Sequence, residues 1–293
     1  MAVLRTGAPG MSDVPDGVGV VAPEAVMPEP PVRAGPRPVG TAHLCDLVRG
    51  SRRYRRARSI LPRTTCGRRG CACQDRGVST VYDCSRPDSR ESGLAAAANA
   101  VRAGGLVVLP TDTVYGIGAD AFDSNAVASL LAAKGRGPDM PVPVLVGSWS
   151  TVDGLVMSVP QQARALIEAF WPGGLSIVLP QAPSLSWDLG NTRGTVNLRM
   201  PLHPVALDLL REVGPMAVSS ANRTGHPPAS TATEAREQLG DSVSVYLDGG
   251  PSGEPVASTI VDLTQAQPRV LREGAVGLDD LADVLGVDAE SLR

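Results

Sequence analysis

Short, wholly apolar runs ended by proline, glycine or a polar cluster recur between residues 106 and 271, with helical stretches between several of them. That alternation constrains the fold more than any other feature. Residues 106–109 (Leu-Val-Val-Leu) are apolar throughout and stop at Pro110, and strands without a polar face are those covered on both sides. Further strands are expected at 142–146, 176–179, 195–198, 216–219, 243–247, 259–261 and 269–271. Helices are expected at 93–102, 124–134, 160–170, 204–213, 232–239 and 278–285. The first is alanine-rich and ends at Gly104-Gly105, as helices commonly do. Strands interleaved with helices make the class α/β. Several strands follow one another without a helix, so the expected architecture is a twisted, mixed open sheet flanked by helices. The pattern does not fix strand order, and no internal repeat is present.

The periodic text begins near residue 91, and the charge balance changes there. Residues 1–90 carry a net +7 and residues 91–293 a net −10, giving the chain its −3. The first part is rich in Arg, Pro and Gly, as in Pro28-Glu29-Pro30-Pro31. It buries too little apolar surface to offset an ordering entropy of roughly 1–2 kcal/mol per residue. Residues 1–77 are therefore expected as a disordered basic extension and 78–293 as the folded domain. A start codon assigned too far upstream would produce the same text. All five cysteines, Cys45, Cys66, Cys71, Cys73 and Cys84, lie in the first 90 residues. The trio at 66–73 lacks the second arm that a zinc site needs, so reduced thiols are expected. No apolar run approaches the ~20 residues of a membrane span. Gly19, Pro23 and Glu24 interrupt the stretch where a signal peptide would be apolar. A cytoplasmic chain without a membrane partner is expected.

Polar clusters sit at strand ends. Thr111, Asp112 and Thr113 follow the 106–109 strand, and Gly116 and Gly118 follow them; these residues suit either a ligand loop with close backbone approach or an ordinary Asx/Thr turn. Lys134 is the only lysine, in a chain with 27 basic residues, and it lies at Lys134-Gly135-Arg136 where a helix meets a turn. A compact ammonium beside a guanidinium suits an oxyanion; a solvated helix end is the alternative. Period-two alternation puts Thr195, Asn197 and Arg199 on one strand face, where the arginine could grip a carboxylate or face water. Ser220 and Asn222 end the 216–219 strand, and Ser230 precedes a helix that it could cap. Ser258 and Thr259 with Arg272 offer another hydroxyl pair and cation.

Some chemistry is excluded. There is no G-x-x-x-x-G-K-[ST] loop, no third glycine after Gly116-x-Gly118 to complete a dinucleotide fingerprint, and no G-x-S-x-G elbow. Trp171-Pro172-Gly173-Gly174 reads as a helix stop carrying a core tryptophan.

The stretches PTDTVYGIGADA (110–121), AKGR (133–136), FWPGGLSIVL (170–179), TVNLRMPLHP (195–204), SSANRTG (219–225), STIVD (258–262) and LREG (271–274) resemble, in that order, the YrdC-like family of threonylcarbamoyl-AMP synthases. The resemblance runs through nearly all of the ordered part. It implies a twisted sheet around a concave, positively lined cavity, in the shorter single-domain form. It also implies a nucleotidyltransferase that condenses L-threonine, bicarbonate and ATP to threonylcarbamoyl-AMP and pyrophosphate. The product would feed threonylcarbamoyladenosine formation on tRNA through downstream transfer machinery. Carried over by position, Lys134, Arg136, Ser220 and Asn222 form the family's Lys-x-Arg and Ser-x-Asn quartet. Thr113, Arg199, Ser220 and Ser258 would meet threonine. Lys134, Arg136, Thr195, Asn222, Ser230 and Arg272 would meet ATP, with Mg2+ accompanying the nucleotide and no dedicated metal site. Some relatives have an asparagine four residues after the arginine; here that position is Met140. Two other readings remain: a non-catalytic module for double-stranded RNA or tRNA, and a carbamoyl-transfer enzyme with another acceptor. The −10 balance and scarcity of aromatics disfavour the first.

Overall fold

The computed structural model describes residues 79–253 and 256–293. The expected extension over 1–77, with Cys45, Cys66, Cys71 and Cys73, lies outside the described residues. Along the chain come β1 (Thr80–Asp83), α1 (Pro87–Arg102), β2 (Val107–Leu109), β3 (Gly116–Asp120), α2 (Ser124–Lys134) and β4 (Val144–Leu145). Then follow α3 (Val152–Leu155), α4 (Gln161–Phe170), β5 (Leu175–Pro180), β6 (Thr195–Arg199), α5 (Pro204–Val213) and β7 (Met216–Ser220). The last elements are α6 (Ala232–Leu239), β8 (Val245–Asp248), β9 (Thr259–Asp262), β10 (Arg269–Arg272) and α7 (Leu278–Leu285).

All ten strands join one sheet in the order β1-β8-β2-β3-β7-β4-β6-β5-β9-β10. It is mixed, as expected: β1/β8, β2/β8, β4/β6 and β5/β9 are parallel, and the other neighbours are antiparallel. Two strands depart from the sequence reading. β1 is an edge strand whose residues are mostly exposed, so it has no apolar signature. β3 contains Gly116 and Gly118, which were read as loop glycines. They lie instead inside the sheet, where an added Cβ would come 2.6 Å from Val218 Cγ1 and 2.8 Å from Met216 Cε. The space they leave is filled by β7 side chains, so Gly118 serves packing and not approach to a ligand.

Local signals set the helix that leads into the site. Asp123 caps α2 by accepting hydrogen bonds from the Asn125 and Ala126 N–H groups, at 2.9 and 3.2 Å. Gly135, at φ 65°, ends it in the left-handed conformation that a side chain disfavours. Lys134 is thus fixed in the last helical turn, with Arg136 just beyond it.

Alternation along the strands sends successive residues into two cores. Val107, Leu109, Met216, Val218, Val245 and Leu247 pack under α1 and α5. On the opposite face, Ile177, Leu179, Val196, Leu198 and Val261 join the core beneath α2, α4, α6 and α7. The α1/α5 layer ends before β6, β5 and β9. There the residues on its side of the sheet are Thr195, Asn197 and Arg199 of β6, Ser176 and Val178 of β5, and Ser258 beside β9. All of them line a cavity. The uncovered part of one sheet face is therefore the polar part.

Candidate active site

The cavity has a volume of about 510 Å³, within the range typical of small-molecule sites. Its walls also include Thr111, Thr113, Gly116, Arg136, Ser219, Ser220 and Arg272. Sheet order spreads the three arginines across it. Arg136 lies against β7, Arg199 projects from β6, and Arg272 ends β10.

Arg199 is 6% exposed and held on three sides. Its Nε donates to Gly173 O at 2.9 Å, Nη1 to Thr113 Oγ1 at 2.9 Å and Nη2 to Asp112 Oδ1 at 2.7 Å. Asp112 Oδ1 also accepts the Leu202 N–H at 2.8 Å. Burial lowers the guanidinium's pKa and Asp112 opposes the shift. A guanidinium has five N–H groups, so one remains on each terminal nitrogen. That pair is the fork a carboxylate needs. Thr113 Oγ1 in turn lies 3.1 Å from Thr111 Oγ1. Thr111 and Asp112 belong to the loop that sequence reasoning read as either a ligand loop or an ordinary turn, without a role of their own; Ser176 was not singled out. Ser176 had a signal, being polar at the alternate position of an otherwise apolar strand.

Ser258 is buried, 2.9 Å from Ser176 Oγ. Arg272 clasps it, donating from Nε and Nη2 to its carbonyl at 3.0 and 2.8 Å and from Nη2 to its hydroxyl at 3.0 Å. Nη1 of Arg272 makes no such bond among the described residues. Arg136 donates from Nε to Thr224 Oγ1 at 3.1 Å and from Nη1 to Ser219 Oγ at 3.0 Å, leaving Nη2 available. Thr195 Oγ1 donates to Thr192 O at 2.8 Å while lining the cavity.

Lys134, Asn222 and Ser230 are not among the residues that line this cavity. Lys134 is 1% exposed and does not line the cavity. Its ammonium donates to Ser220 O, to Asn222 O at 2.6 Å and to Asn222 Oδ1 at 3.4 Å. Three donors meet three oxygens, so Lys134 holds the turn after β7 from behind. Burial, with Arg136 adding to it, lowers its pKa to about 7. Asn222 is also buried behind the wall, its Nδ2 donating to Arg223 O at 3.0 Å and His226 O at 2.7 Å. Ser230 donates from its N–H and its hydroxyl to Glu234 Oε2, at 2.8 and 2.9 Å. Thr231 is the cap of α6, its hydroxyl accepting the Glu234 N–H, so Ser230 belongs to a capping box and not to the cavity wall. Of the quartet, Arg136 and Ser220 face the cavity and Lys134 and Asn222 support them. Met140 is 44% exposed and outside the wall, although Pro141 and Val142 form part of it.

An open mixed sheet with a pocket of hydroxyls and partly unpaired guanidinium groups defines a protein that holds small anionic ligands. The chain belongs to the Sua5/YciO/YrdC family, whose model, described as "Telomere recombination", matches residues 99–274. A Mycobacterium tuberculosis protein with a provisional threonylcarbamoyl-AMP synthase name is 66% identical over 215 residues, 73% of this chain and 99% of that protein. Threonylcarbamoyl-AMP synthase of Bacillus subtilis is 38% identical over 195 residues, covering 66% of this chain and 56% of its own. Among solved structures, Pyrococcus abyssi Sua5 complexed with L-threonine superposes with a TM-score of 0.68 at 35% identity, over 71% of this chain and 61% of that one. Escherichia coli YciO gives 0.61 at 26% identity, over 70% and 98%. Among the described residues no helix is long and apolar enough to cross a membrane.

Proposed function

We propose that this chain is a threonylcarbamoyl-AMP synthase, condensing L-threonine, bicarbonate and ATP. The observation that carries the reading is Arg199, buried in the wall of a polar cavity, locked by Asp112 and Thr113, and keeping one N–H on each terminal nitrogen without a protein partner. That fork fits the threonine carboxylate, with Thr113, Ser258 and Ser220 offering hydroxyls to its amino and hydroxyl groups. Arg136 and Arg272 offset the triphosphate charge from opposite edges. The M. tuberculosis and B. subtilis names and the threonine complex of P. abyssi Sua5 support the assignment.

The chemistry is nucleotidyl transfer. The amine of threonine adds to bicarbonate; the N–C bond forms, the C–OH bond breaks, and the hydroxyl leaves as water with a proton from the amine. The resulting N-carboxylate attacks the α-phosphorus of ATP, the bond to the β-phosphate oxygen breaks, and pyrophosphate leaves. No enzyme nucleophile is required; the protein positions the reactants and balances charge. Magnesium enters with ATP as part of the substrate. Among the described residues no group of three His, Cys, Asp or Glu could hold a metal, and Asp112 is already paired. The product would pass to tRNA threonylcarbamoyl-transfer machinery in the cytoplasm.

The test is pyrophosphate release by the purified full chain with each substrate omitted in turn. Release that needs ATP, threonine and bicarbonate together supports the reading. Release without threonine, or ATP-independent binding of RNA with steep salt dependence, overturns it.

A further inference from the structure

A hydroxyl carries one hydrogen and two lone pairs, so the partners of Thr111 and Thr113 fix the direction of every bond between them. Thr111 Oγ1 donates its hydrogen to Val114 O at 2.6 Å, and a carbonyl only accepts. In the 3.1 Å contact between the two threonine hydroxyls Thr113 is therefore the donor. The Thr113 N–H also donates to Thr111 Oγ1, at 3.2 Å, which leaves Thr111 neither a hydrogen nor a lone pair for a ligand. Thr113 has given its hydrogen to Thr111 and accepts from Arg199 Nη1 at 2.9 Å. One lone pair remains on it, and Thr113 lines the cavity. Ser176 and Ser258 differ. One hydrogen joins them at 2.9 Å and Arg272 fills a lone pair of Ser258 at 3.0 Å, so that pair keeps both a hydrogen and lone pairs. The serines serve donors and acceptors alike, whereas Thr113 serves donors only. Carboxylate, phosphate and carbonyl oxygens have nothing to give it; an ammonium does, in a charge-assisted bond. Thr113 Oγ1 already holds the nitrogen that carries one prong of the Arg199 fork, so a carboxylate seated on that fork brings the substituent of its α-carbon to Thr113.

We propose that Thr111 is a positioning residue: by taking the hydrogen of Thr113 it leaves Thr113 a lone pair for the ligand, so that the corner beside Arg199 accepts an N–H of the α-amino group of an amino acid. This rests on the synthase reading for the identity of the ligand and deepens it, because it gives the amine that is carboxylated a fixed place. Thr111 acts through Thr113 and exchanges no proton.

The experiment is calorimetric titration of the full chain, as wild type, Thr111→Val and Thr111→Ser, with three ligands. These are L-threonine, ATP with magnesium, and 3-hydroxybutyrate, which keeps the carboxylate and hydroxyl of threonine but has no amine. Wild type should bind 3-hydroxybutyrate at least about tenfold more weakly than threonine, the loss expected for one charge-assisted hydrogen bond; equal affinities overturn the inference. Thr111→Val keeps the shape of the side chain but releases the Thr113 hydrogen. It should raise the threonine Kd about tenfold and change the ATP Kd less than about twofold. Thr111→Ser restores the hydroxyl and should bring the threonine Kd back to within about threefold of wild type. A role in packing alone would give the reverse order, since valine keeps the methyl group that serine lacks. An unchanged threonine Kd in Thr111→Val, an equal rise in its ATP Kd, or a Thr111→Ser chain as weak as Thr111→Val overturns the inference. Should Thr111→Val not fold, the wild-type preference for threonine over its amine-free analogue decides. Pyrophosphate release is read separately. A wild-type chain that binds threonine in this pattern but releases no pyrophosphate with all three substrates overturns the synthase reading alone; one that binds no threonine, with or without ATP, overturns both.

Discussion

The Arg199–Asp112 pair is the residue on which the site's shape depends, since both side chains are largely buried, at 8% and 17% exposure. Removing one member of a buried pair leaves the other charge uncompensated, and Asp112→Ala should destabilise the fold by about 3–5 kcal/mol in urea titrations. Arg199→Lys keeps the charge but loses the fork, so threonine affinity measured by calorimetry should fall about tenfold or more while the chain stays folded. Lys134 allows a separate test by pH. Its folded pKa of about 7 lies below the ordinary lysine value of 10.5. Below the lower value both folded and unfolded states hold the proton, and no slope arises. Between the two values the unfolded state retains a proton the folded state has lost, so stability rises with pH. Wild type should therefore gain stability relative to Lys134→Met between pH 7 and 10, measured by denaturant unfolding at each pH. A flat difference would mean that the three oxygens around Nζ hold the ammonium charged throughout.

At the scale of elements, α2, α5, α6 and α7 fall where the apolar period and caps place them, because each carries its own start and stop signals. β3 does not. Gly-Ile-Gly-Ala-Asp has low strand propensity and two glycines, and what makes it a strand is β7, whose Val218 and Met216 fill the space above those glycines. That is information from a segment about 100 residues away, which no local pattern holds. The same limit applies to the site. Thr195, Asn197 and Arg199 were legible as one face because strand alternation is local. The burial of Lys134 and Asn222 behind the wall follows from where the turn after β7 crosses the end of α2, and the resemblance supplied their identity but not their direction. The two β3 glycines should respond differently to a methyl group. Gly116→Ala meets the stiff, β-branched Val218 and should lose about 1–3 kcal/mol. Gly118→Ala meets the flexible end of Met216, which can swing aside, and should lose less in the same thermal melts.

Over the whole molecule, the site exists because one sheet face is only partly roofed. α1 and α5 cover β8, β2 and β7, and their absence over β6, β5 and β9 leaves hydroxyls, the Asn197 side chain and an arginine in the wall of the cavity. Unpaired donors and like charges are tolerated there only until a ligand satisfies them, and Arg272 is already lowered in pKa by burial and by its neighbour Arg199. Ligand binding should therefore raise global stability. At a hundred times its Kd a ligand adds about 2.7 kcal/mol, which for a domain of this size is about 5–10 °C in Tm. Threonine should give such a shift through Arg199, and ATP with magnesium a further one through Arg136 and Arg272. Arg199→Lys should lose most of the threonine shift and keep most of the nucleotide shift. Equal loss of both would mean that the three arginines act as one undivided anion patch, and the separation of the carboxylate end from the phosphate edges would then be wrong.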